Sequence, residues 1–336
     1  MTTQVDRGTL DASELRRSRE ILGGIEQAFA GRVVGQDRMR RSLLVALMTQ
    51  GHVLLESVPG LAKTLAASTL AQLVNADFAR IQCTPDLLPS DIIGTQVYDP
   101  RAHEFETRLG PVHANFVLLD EINRASAKTQ AAVLEAMQER QTSIAGEIHP
   151  LPTPFLVLAT QNPIDEEGTY LLPHAQLDRF LIKEVVQYPE RSDEVEVLDR
   201  LERGVLSGRA DAVVGLGDVA QLQDVVSRVY VDRAVKQYIV DLVDATRHPG
   251  RWPGTALAGL GDAIEIGASP RASVALFSVG RALAVLAGRD HVLPEDVQEM
   301  AHAVLRHRLH LTYGAAADGV RPEDVVDALL ATVTTP

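Results

Sequence analysis

Residues 53–64 read Val-Leu-Leu-Glu-Ser-Val-Pro-Gly-Leu-Ala-Lys-Thr, a short apolar run followed by a loop and then by the start of a helix. This order of strand, loop and helix is the context that a phosphate-binding loop requires. Backbone N–H groups of the loop and of the helix start can bind phosphate oxygens, and the helix dipole adds attraction. The stretch therefore predicts a phosphate site within an α/β fold.

Individual residues of this loop have distinct expected roles. Lys63 is predicted to reach the β- and γ-phosphates of a nucleotide, and Thr64 to ligate magnesium. Ser57 and Ala62 stand where the standard pattern has glycine. Because both carry a Cβ, we expect their backbone angles to lie in regions open to ordinary residues. The predicted binding loop comprises Ser57, Val58, Pro59, Gly60, Leu61, Ala62, Lys63 and Thr64.

The surrounding sequence alternates between short apolar runs and helical patterns. Because the apolar runs are continuous and bounded by turns, they predict a parallel sheet buried on both faces. The five runs are 53–55, 78–81, 116–119, 155–159 and 181–186, with helices expected at 63–74 and 126–139 between them. Two further helices are expected before the first run, a capped one from Asp11 to near Gly31 and another over 36–50.

Beyond residue 189 the strand-like runs stop and helical patterns take over. Two predicted helices begin with Pro-Glu-Asp, which suits the first helical turn because proline fits there and acids favour the positive end of the helix dipole. The expected helices are 190–201, 231–246, 271–286, 294–305 and 322–330. The sequence thus predicts an α/β core with an N-terminal helix over residues 1–189 and an all-helical domain over 190–336.

A second chemical motif is the run 116–121, Phe-Val-Leu-Leu-Asp-Glu, a buried strand that ends in two acids. A carboxylate at this position can hold magnesium, directly or through water, and the next can polarise an attacking water. We assign Asp120 to the metal and Glu121 to the general base. Adjacent acids also commonly end a strand at a surface, but less often at this separation after a phosphate-binding loop.

Three polar residues complete the predicted catalytic set. Asn162 follows the run 155–159 and could orient the nucleophilic water, although an asparagine before proline is also typical of a turn. Arg179 follows an apolar turn, where an arginine is usually a surface ion pair but can reach a neighbouring subunit's γ-phosphate in a ring. Arg271 begins a helix of the second domain and could contact phosphate.

Composition sets further expectations. The only cysteine, Cys83, excludes an intrachain disulfide and leaves no thiolate cluster for zinc. The first twenty residues contain no apolar stretch, so we expect no secretory signal, and without a run of roughly 18 apolar residues we expect no membrane span. These features favour a reduced, cytoplasmic location. The formal net charge of −13 argues against nucleic acid as a partner.

With these motifs in order, the chain resembles the MoxR family of AAA+ ATPases from about Val34 to about Arg308. The resemblance implies an AAA+ P-loop core with a parallel sheet flanked by helices, followed by a helical lid domain, with ATP and Mg²⁺ as cofactors. The stretches that carry it are DLLPSDIIG (86–94), LDEINRA (119–125), ATQNP (159–163), EGTY (167–170), AQLDRF (175–180) and GASPRA (267–272).

The family resemblance also assigns motif names and partners. It implies a Walker A motif at 57–64, Walker B at 116–121, sensor 1 at Asn162, an arginine finger at Arg179 and sensor 2 at Arg271. Similar proteins assist maturation of other protein complexes, often by metal insertion, and many work with a partner carrying a von Willebrand factor A domain. Residues 94–110 are expected to form a hairpin insert that either contacts client proteins or is an ordinary surface hairpin.

Several functional hypotheses remain open on the sequence. The leading one is a hexameric, chaperone-like ATPase that remodels a client protein complex. One rival is the ATPase subunit of a chelatase-like complex, and another is a nucleotide-gated scaffold that hardly hydrolyses ATP, for which Ser57 is the main sign. A DNA motor is disfavoured by the net charge.

Overall fold

The computed structural model describes residues 10–162, 170, 172–204 and 208–336. These residues divide into two compact units, one of Gly23–Val219 and one that combines the described residues up to Leu22 with Ala220–Pro336. The EGTY stretch lies outside the described residues except for Tyr170.

Five of the strands form one parallel sheet in the first unit, in the order β2-β5-β8-β1-β9. The strands of the chain are β1 Val53–Glu56, β2 Phe78–Gln82, β3 Gly94–Asp99, β4 Glu104–Leu109, β5 Phe116–Asp120, β6 Gln141–Ile144, β7 Glu147–Pro150, β8 Leu156–Gln161, β9 Ile182–Val185, β10 Ile264–Ile266 and β11 His310–Leu311. All five predicted runs are therefore strands of this sheet.

Burial explains why these runs form strands. The apolar residues of β1, β5 and β8 are buried, as expected for central strands of a parallel sheet that is covered on both faces. The edge strand β2 differs, because only Ile81 of its five residues is buried. The expectation of burial on both faces therefore fails for β2, and its exposed positions leave room for the polar side chains Arg80 and Gln82.

The helices of the chain are α1 Ala12–Ala30, α2 Asp37–Thr49, α3 Lys63–Leu73, α4 Pro89–Ile93, α5 Ala127–Glu139, α6 His174–Leu177, α7 Arg191–Glu202, α8 Leu216–Arg228, α9 Arg233–Arg247, α10 Ala256–Gly259, α11 Pro270–Leu286, α12 Pro294–Glu299, α13 Ala301–Leu305, α14 Tyr313–Ala317 and α15 Pro322–Thr332. The predicted α1, α2, α3, α5, α7, α9, α11 and α15 are confirmed within a few residues. The helix expected over 294–305 is interrupted at Met300, whose backbone is not helical.

The first unit contains two antiparallel hairpins. The pair β3–β4 realises the hairpin expected at 94–110, with Val97 opposite Glu106 and Tyr98 opposite Phe105. The pair β6–β7 forms a second hairpin over residues 141–150. Tyr98 and Phe105 are both exposed, and their ring centroids lie 5.3 Å apart.

The second unit is helical apart from one short sheet. Its apolar interior is built from α9, α11 and α15, and all three are amphipathic helices with several fully buried residues. Strand β10 lies between the helices expected at 231–246 and 271–286 and pairs with β11 in antiparallel fashion. The expectation of an all-helical domain is therefore wrong for these few residues, because their pairing partner lies more than forty positions away.

The acids expected to cap helices do so. Glu14 accepts a hydrogen bond from the backbone N–H of Asp11 at the start of α1 (3.0 Å). In the second unit, Asp296 and Asp324 accept from the N–H of Leu293 and Arg321, each at 2.8 Å. These bonds satisfy backbone donors that a helix leaves unpaired at its start.

The boundary expected at residue 189 remains a prediction about domains. The two compact units change over near Val219 instead, because the chain beyond 189 still contacts the first unit. The Arg200 guanidinium donates to the carbonyl of Ala30 (2.7 Å), and the N–H of Val213 donates to Leu73 (2.9 Å). Within the described part of the chain, no helix has both the length and the apolar character that crossing a bilayer requires.

Candidate nucleotide site

The candidate site lies where four parallel strands end. Strand register places Glu56 beside Gln161 and Gln82 beside Asp120 at the carboxyl edge of the sheet. The loop after β1, the acids at the end of β5 and Asn162 after β8 are therefore brought to one edge. In open parallel sheets this edge is where ligands bind.

The loop after β1 is held at its base and bent twice near its end. The N–H of Ser57 donates to the Gln161 carbonyl (3.1 Å), which ties the loop to β8. Gly60 and Ala62 both have positive φ, 87° and 54°. The expectation for Ala62 is therefore wrong, because it adopts the left-handed region at a cost of roughly 1–2 kcal/mol. Ser57 has no positive φ and meets the expectation.

Lys63 is the first residue of α3, and its ammonium group folds back over the loop. Its Nζ donates to the carbonyls of Ser57 (3.3 Å) and Val58 (3.4 Å). Burial lowers the pKa of Lys63, whereas the nearby charges of Asp120 and Glu121 raise it. The cation therefore lies within electrostatic reach of both acids and at the mouth of the loop.

Asp120 is mostly buried and accepts hydrogen bonds at both carboxylate oxygens. The Thr160 hydroxyl donates to Oδ1 (2.9 Å), and the guanidinium of Arg80 donates twice to Oδ2, from Nε (3.1 Å) and Nη2 (2.7 Å). Thr160 is fully buried in β8. The carboxylate is thus fixed in orientation by groups from both neighbouring strands.

Glu121 follows immediately in an uncommon backbone conformation. Its φ is 57°, and its N–H donates to the Thr160 hydroxyl (2.8 Å). Its carboxylate pairs with Arg124 (3.1 Å) and accepts from the amide of Gln82 (3.3 Å). The left-handed conformation turns the chain sharply after β5, which is a form of strain that often accompanies functional sites.

The other predicted residues lie in different places. Asn162 is buried directly after β8, at the same edge as Asp120. Arg179 precedes β9, and the Val53–Ile182 register places it at the opposite, amino edge of the sheet. A four-residue strand is roughly 13 Å long, so the structure does not bring Arg179 to Glu121. Arg271 is exposed at the start of α11 in the second unit.

Four residues of this network were not predicted from the sequence: Arg80, Gln82, Arg124 and Thr160. Arg80 and Gln82 are two positions apart on β2, so they point to the same face, and a charged residue within an apolar run was the available signal. Thr160 carried no comparable signal, because its role depends on the β5–β8 register.

The donor set fits magnesium and a polyphosphate. Magnesium prefers oxygen ligands and commonly uses one or two carboxylates together with substrate phosphates. Asp120 and the Thr64 hydroxyl supply such oxygens, while a helix start and Lys63 supply positive potential for phosphate. The remaining lone pairs of Asp120 lie on Oδ1, because the two bonds from Arg80 occupy Oδ2.

A cavity of about 410 Å³ lies beside this edge within the first unit. Val186, whose N–H donates to Glu56 (2.9 Å), connects it to the end of β1. Its lining includes Gly35, Gln36, Glu184, Val186, Tyr188 and Asp193. The volume lies within the usual range for small-ligand sites.

Comparisons with known proteins identify the fold and the family of the chain. Residues 52–182 match the family model for "ATPase family associated with various cellular activities (AAA)", and residues 260–329 match that for "AAA lid domain". Chaperone MoxR1 of Mycobacterium tuberculosis is 50% identical over 90% of this chain and 79% of its own length. Protein MoxR of Paracoccus denitrificans is 32% identical over 93% and 95%.

A solved structure from Cytophaga hutchinsonii, described as a proposed ATPase, is also similar. It superposes with a TM-score of 0.90 at 42% identity and covers 96% of this chain and 97% of its own. The five-stranded parallel sheet and the matches to the AAA and lid models define an AAA+ protein of the ATPase class. Within that class, the chain belongs to the MoxR family.

Proposed function

We propose that this chain binds ATP with Mg²⁺ at the carboxyl edge of the sheet and hydrolyses it within a ring of like subunits. The observation that carries the proposal is the convergence of Lys63, Asp120, Glu121 and Asn162 on one edge through the strand register. Each side chain has the chemistry that phosphoryl transfer needs. The energy of the cycle would then serve to remodel a client protein complex, as in a chaperone.

Phosphate and metal binding fall to the loop and its helix. Residues 57–64 would bind the phosphates through backbone N–H groups, and Lys63 would leave the carbonyls of Ser57 and Val58 to bind the β- and γ-phosphates. Thr64 and Asp120 would hold Mg²⁺. The bound ion would supply positive charge that offsets the negative charge of the transferring phosphoryl group.

Glu121 is proposed as the general base. Its position is fixed by the Thr160 hydroxyl, which accepts from the Glu121 N–H while donating to Asp120. This single buried hydroxyl couples the orientation of both acids. Asn162, at the end of the adjacent strand, would orient the water that Glu121 deprotonates.

Arg179 supports a shared site between subunits. It lies at the amino edge of its own sheet, so it could act on a γ-phosphate only from a neighbouring subunit. Its Nε is shielded from solvent and has no hydrogen-bond partner among the described residues. We therefore propose an assembly, with a hexameric ring as the expected form, in which Arg179 completes the neighbour's site. Arg271 is proposed to sense phosphate from the second unit.

The cavity beside β9 is proposed as the site of the adenine base. It adjoins the end of β1, from which the phosphate-binding loop continues. Its lining includes the buried side chains of Gln36, which donates to the Gln187 carbonyl (3.3 Å), and Glu184, which accepts from the Ser42 hydroxyl (2.7 Å). The cavity is lined by residues at the end of β9, which pairs with β1, and the loop 57–64 continues from the end of β1. Base and phosphates would therefore lie along the same edge of the sheet.

The client-contact role is proposed for the β3–β4 hairpin. Tyr98 and Phe105 form an exposed cross-strand aromatic pair, 47% and 67% accessible, and exposed aromatic residues are enriched in protein contacts. A partner with a von Willebrand factor A domain and help with metal or cofactor insertion remain proposals drawn from the family resemblance. A cytoplasmic location remains a proposal drawn from the composition. The client itself would be a protein complex.

The test is the ATPase rate per subunit as a function of protein concentration, with and without magnesium, beside the mass in solution. We expect a rate that requires magnesium and rises steeply as oligomers form. A low rate that ignores assembly, despite clear ATP binding, would contradict the proposal and favour the nucleotide-gated scaffold. In that case Ser57→Gly becomes the informative variant.

A further inference from the structure

Arg80 occupies one of the two carboxylate oxygens through which Asp120 could coordinate a divalent metal. Its Nε and Nη2 both donate to Oδ2, at 3.1 and 2.7 Å. A carboxylate oxygen has about two lone-pair sites, so these two bonds fill Oδ2. Oδ1 receives one bond, from the Thr160 hydroxyl at 2.9 Å. Direct coordination through Oδ2 therefore requires Arg80 to leave.

The two donors to Asp120 differ in how easily they can move. Thr160 is fully buried in a central strand and also accepts from the backbone of Glu121, so its position is fixed. The Arg80 side chain is 50% exposed on the edge strand β2. Because half of this side chain lies in solvent, it can swing away from the sheet, at the cost of its two bonds to Asp120 and its bond to the amide oxygen of Gln82 (3.2 Å). Arg80 is thus the mobile partner.

We propose that Arg80 is a positioning residue that competes with the divalent cation for Asp120 and so lowers the metal affinity of the site. The inference rests on the proposed nucleotide site. The guanidinium compensates the negative charge of Asp120 until nucleotide-bound metal displaces it from Oδ2. Because Arg80 weakens the attraction of Asp120 for the metal, metal binding then depends on the nucleotide phosphates. The binding of metal and the binding of nucleotide are thereby coupled.

Arg124 provides a matched comparison on the same acidic pair. It contacts Glu121 at 3.1 Å and is 44% exposed, close to the exposure of Arg80. Arg124 pairs with the neighbouring acid Glu121, whereas Arg80 donates two bonds to Asp120 itself. Removing Arg124 therefore takes away one positive charge, as removing Arg80 does, but leaves Oδ2 of Asp120 occupied by Arg80. A difference between the two variants isolates competition for the oxygen from general electrostatics.

The experiment measures Mn²⁺ affinity in the presence of ADP by electron paramagnetic resonance on the full chain. We expect Arg80→Met to tighten Mn²⁺ binding about three- to tenfold and Arg124→Met to change it by no more than about twofold. Arg80→Lys keeps the charge but not the two-bond fork, and an intermediate affinity is expected. Asp120→Asn should weaken binding, which shows that the probe senses Asp120.

Three results would overturn the inference. Equal effects of Arg80→Met and Arg124→Met on Mn²⁺ affinity would mean that Arg80 acts only through its charge. Weaker Mn²⁺ binding in Arg80→Met would mean that Arg80 supports metal coordination. Unchanged binding in Asp120→Asn would remove Asp120 from the metal. If the unmodified chain binds no Mn²⁺ with ADP, the proposed function itself fails. Circular dichroism melting curves check that each variant is folded.

Discussion

Polar side chains at the two edges of the parallel sheet bond to different kinds of partner. At the carboxyl edge, Asp120 and Glu121 bond chiefly to other side chains, several of them part-exposed. At the amino edge, His52 and Asn115 are buried and bond to the backbone. A side-chain partner can exchange for a ligand, but a buried backbone group cannot be released without loss of stability. Polar residues that bond to other side chains are thus suited to a binding site, whereas buried polar residues that bond to the backbone are suited to a structural scaffold.

The amino edge shows the scaffold arrangement fully. His52 bonds the carbonyl of Met137 (3.3 Å) and accepts from the N–H of Val157 (3.0 Å), which joins β8 to the end of α5. Asn115 donates to Pro154 (2.8 Å) and accepts from Asp77 (3.2 Å). Arg140 donates to Phe155 (2.7 Å) and lies over its ring. Each side chain satisfies backbone groups that the strand ends would leave unpaired.

Arg179 is the exception at the amino edge, and the largest effect is expected there. Arg179→Ala should lower turnover by roughly 10³ to 10⁵, while ATP binding and the fold are retained, because its shielded Nε bonds to nothing among the described residues. Steady-state ATPase assays measure the loss. Unfolding of the variant at ordinary temperature would instead make Arg179 part of the scaffold.

Mixing variants shows from which subunit Arg179 acts. A mixture of Arg179→Ala and Glu121→Gln subunits should regain activity, because a subunit with intact Glu121 can receive Arg179 from its neighbour. Neither variant alone regains it. A mixture that stays inactive while forming mixed oligomers would argue against action across the interface.

Glu121→Gln should lower turnover by roughly 10² to 10⁴ at the carboxyl edge, because an amide cannot accept the proton of the attacking water. Binding of a fluorescent ATP analogue should persist, since the loop 57–64 is unchanged. The matched control is Glu135→Gln on the exposed face of α5, which should keep full turnover. Unchanged turnover in Glu121→Gln would refute its role as base.

Local sequence patterns predicted most of the fold for a physical reason. The five runs became strands because buried parallel strands need continuous apolar residues, as in β5. Helix α8 was missed, since Gly215 and Gly217 weaken the helical signal at its start, although Val219, Leu222 and Val226 keep the helical spacing. The β10–β11 pair could not be predicted from the sequence, because its strands are short and far apart along the chain.

The candidate site was predictable only in its chain-local parts. The loop 57–64 and the Asp120–Glu121 pair follow strands directly, so the common edge of a parallel sheet brings them together. The bonds of Arg80 and Thr160 to Asp120 depend on strand register, which the sequence did not specify. The left-handed conformation of Ala62 is likewise not signalled by its residue type, because alanine rarely adopts it.

His52→Leu tests the scaffold side of the comparison. The variant leaves the Val157 N–H and the Met137 carbonyl buried without partners, and the free energy of unfolding should fall by about 2–4 kcal/mol. Urea denaturation followed by circular dichroism measures it. The control His291→Leu removes a half-exposed histidine paired with Asp290 and should change stability by no more than about 0.5 kcal/mol. Equal losses of unfolding free energy in the two variants would show that the buried bonds of His52 to the backbone contribute no special stability at the amino edge.

The same histidine makes a smaller, pH-dependent contribution to stability. Burial, helped by the charge of Arg140, lowers the pKa of His52 to about 3, against roughly 6.5 in the unfolded chain. Between these values the unfolded chain binds a proton that the folded chain does not, so stability present above pH 6.5 is lost as the pH falls. From pH 7 to pH 5 this loss is about 2 kcal/mol. His52→Leu should lose that much less over the same interval in urea titrations. A pH profile parallel to that of the unmodified chain would show that His52 takes up its proton without unfolding, contrary to its buried bonds at the amino edge.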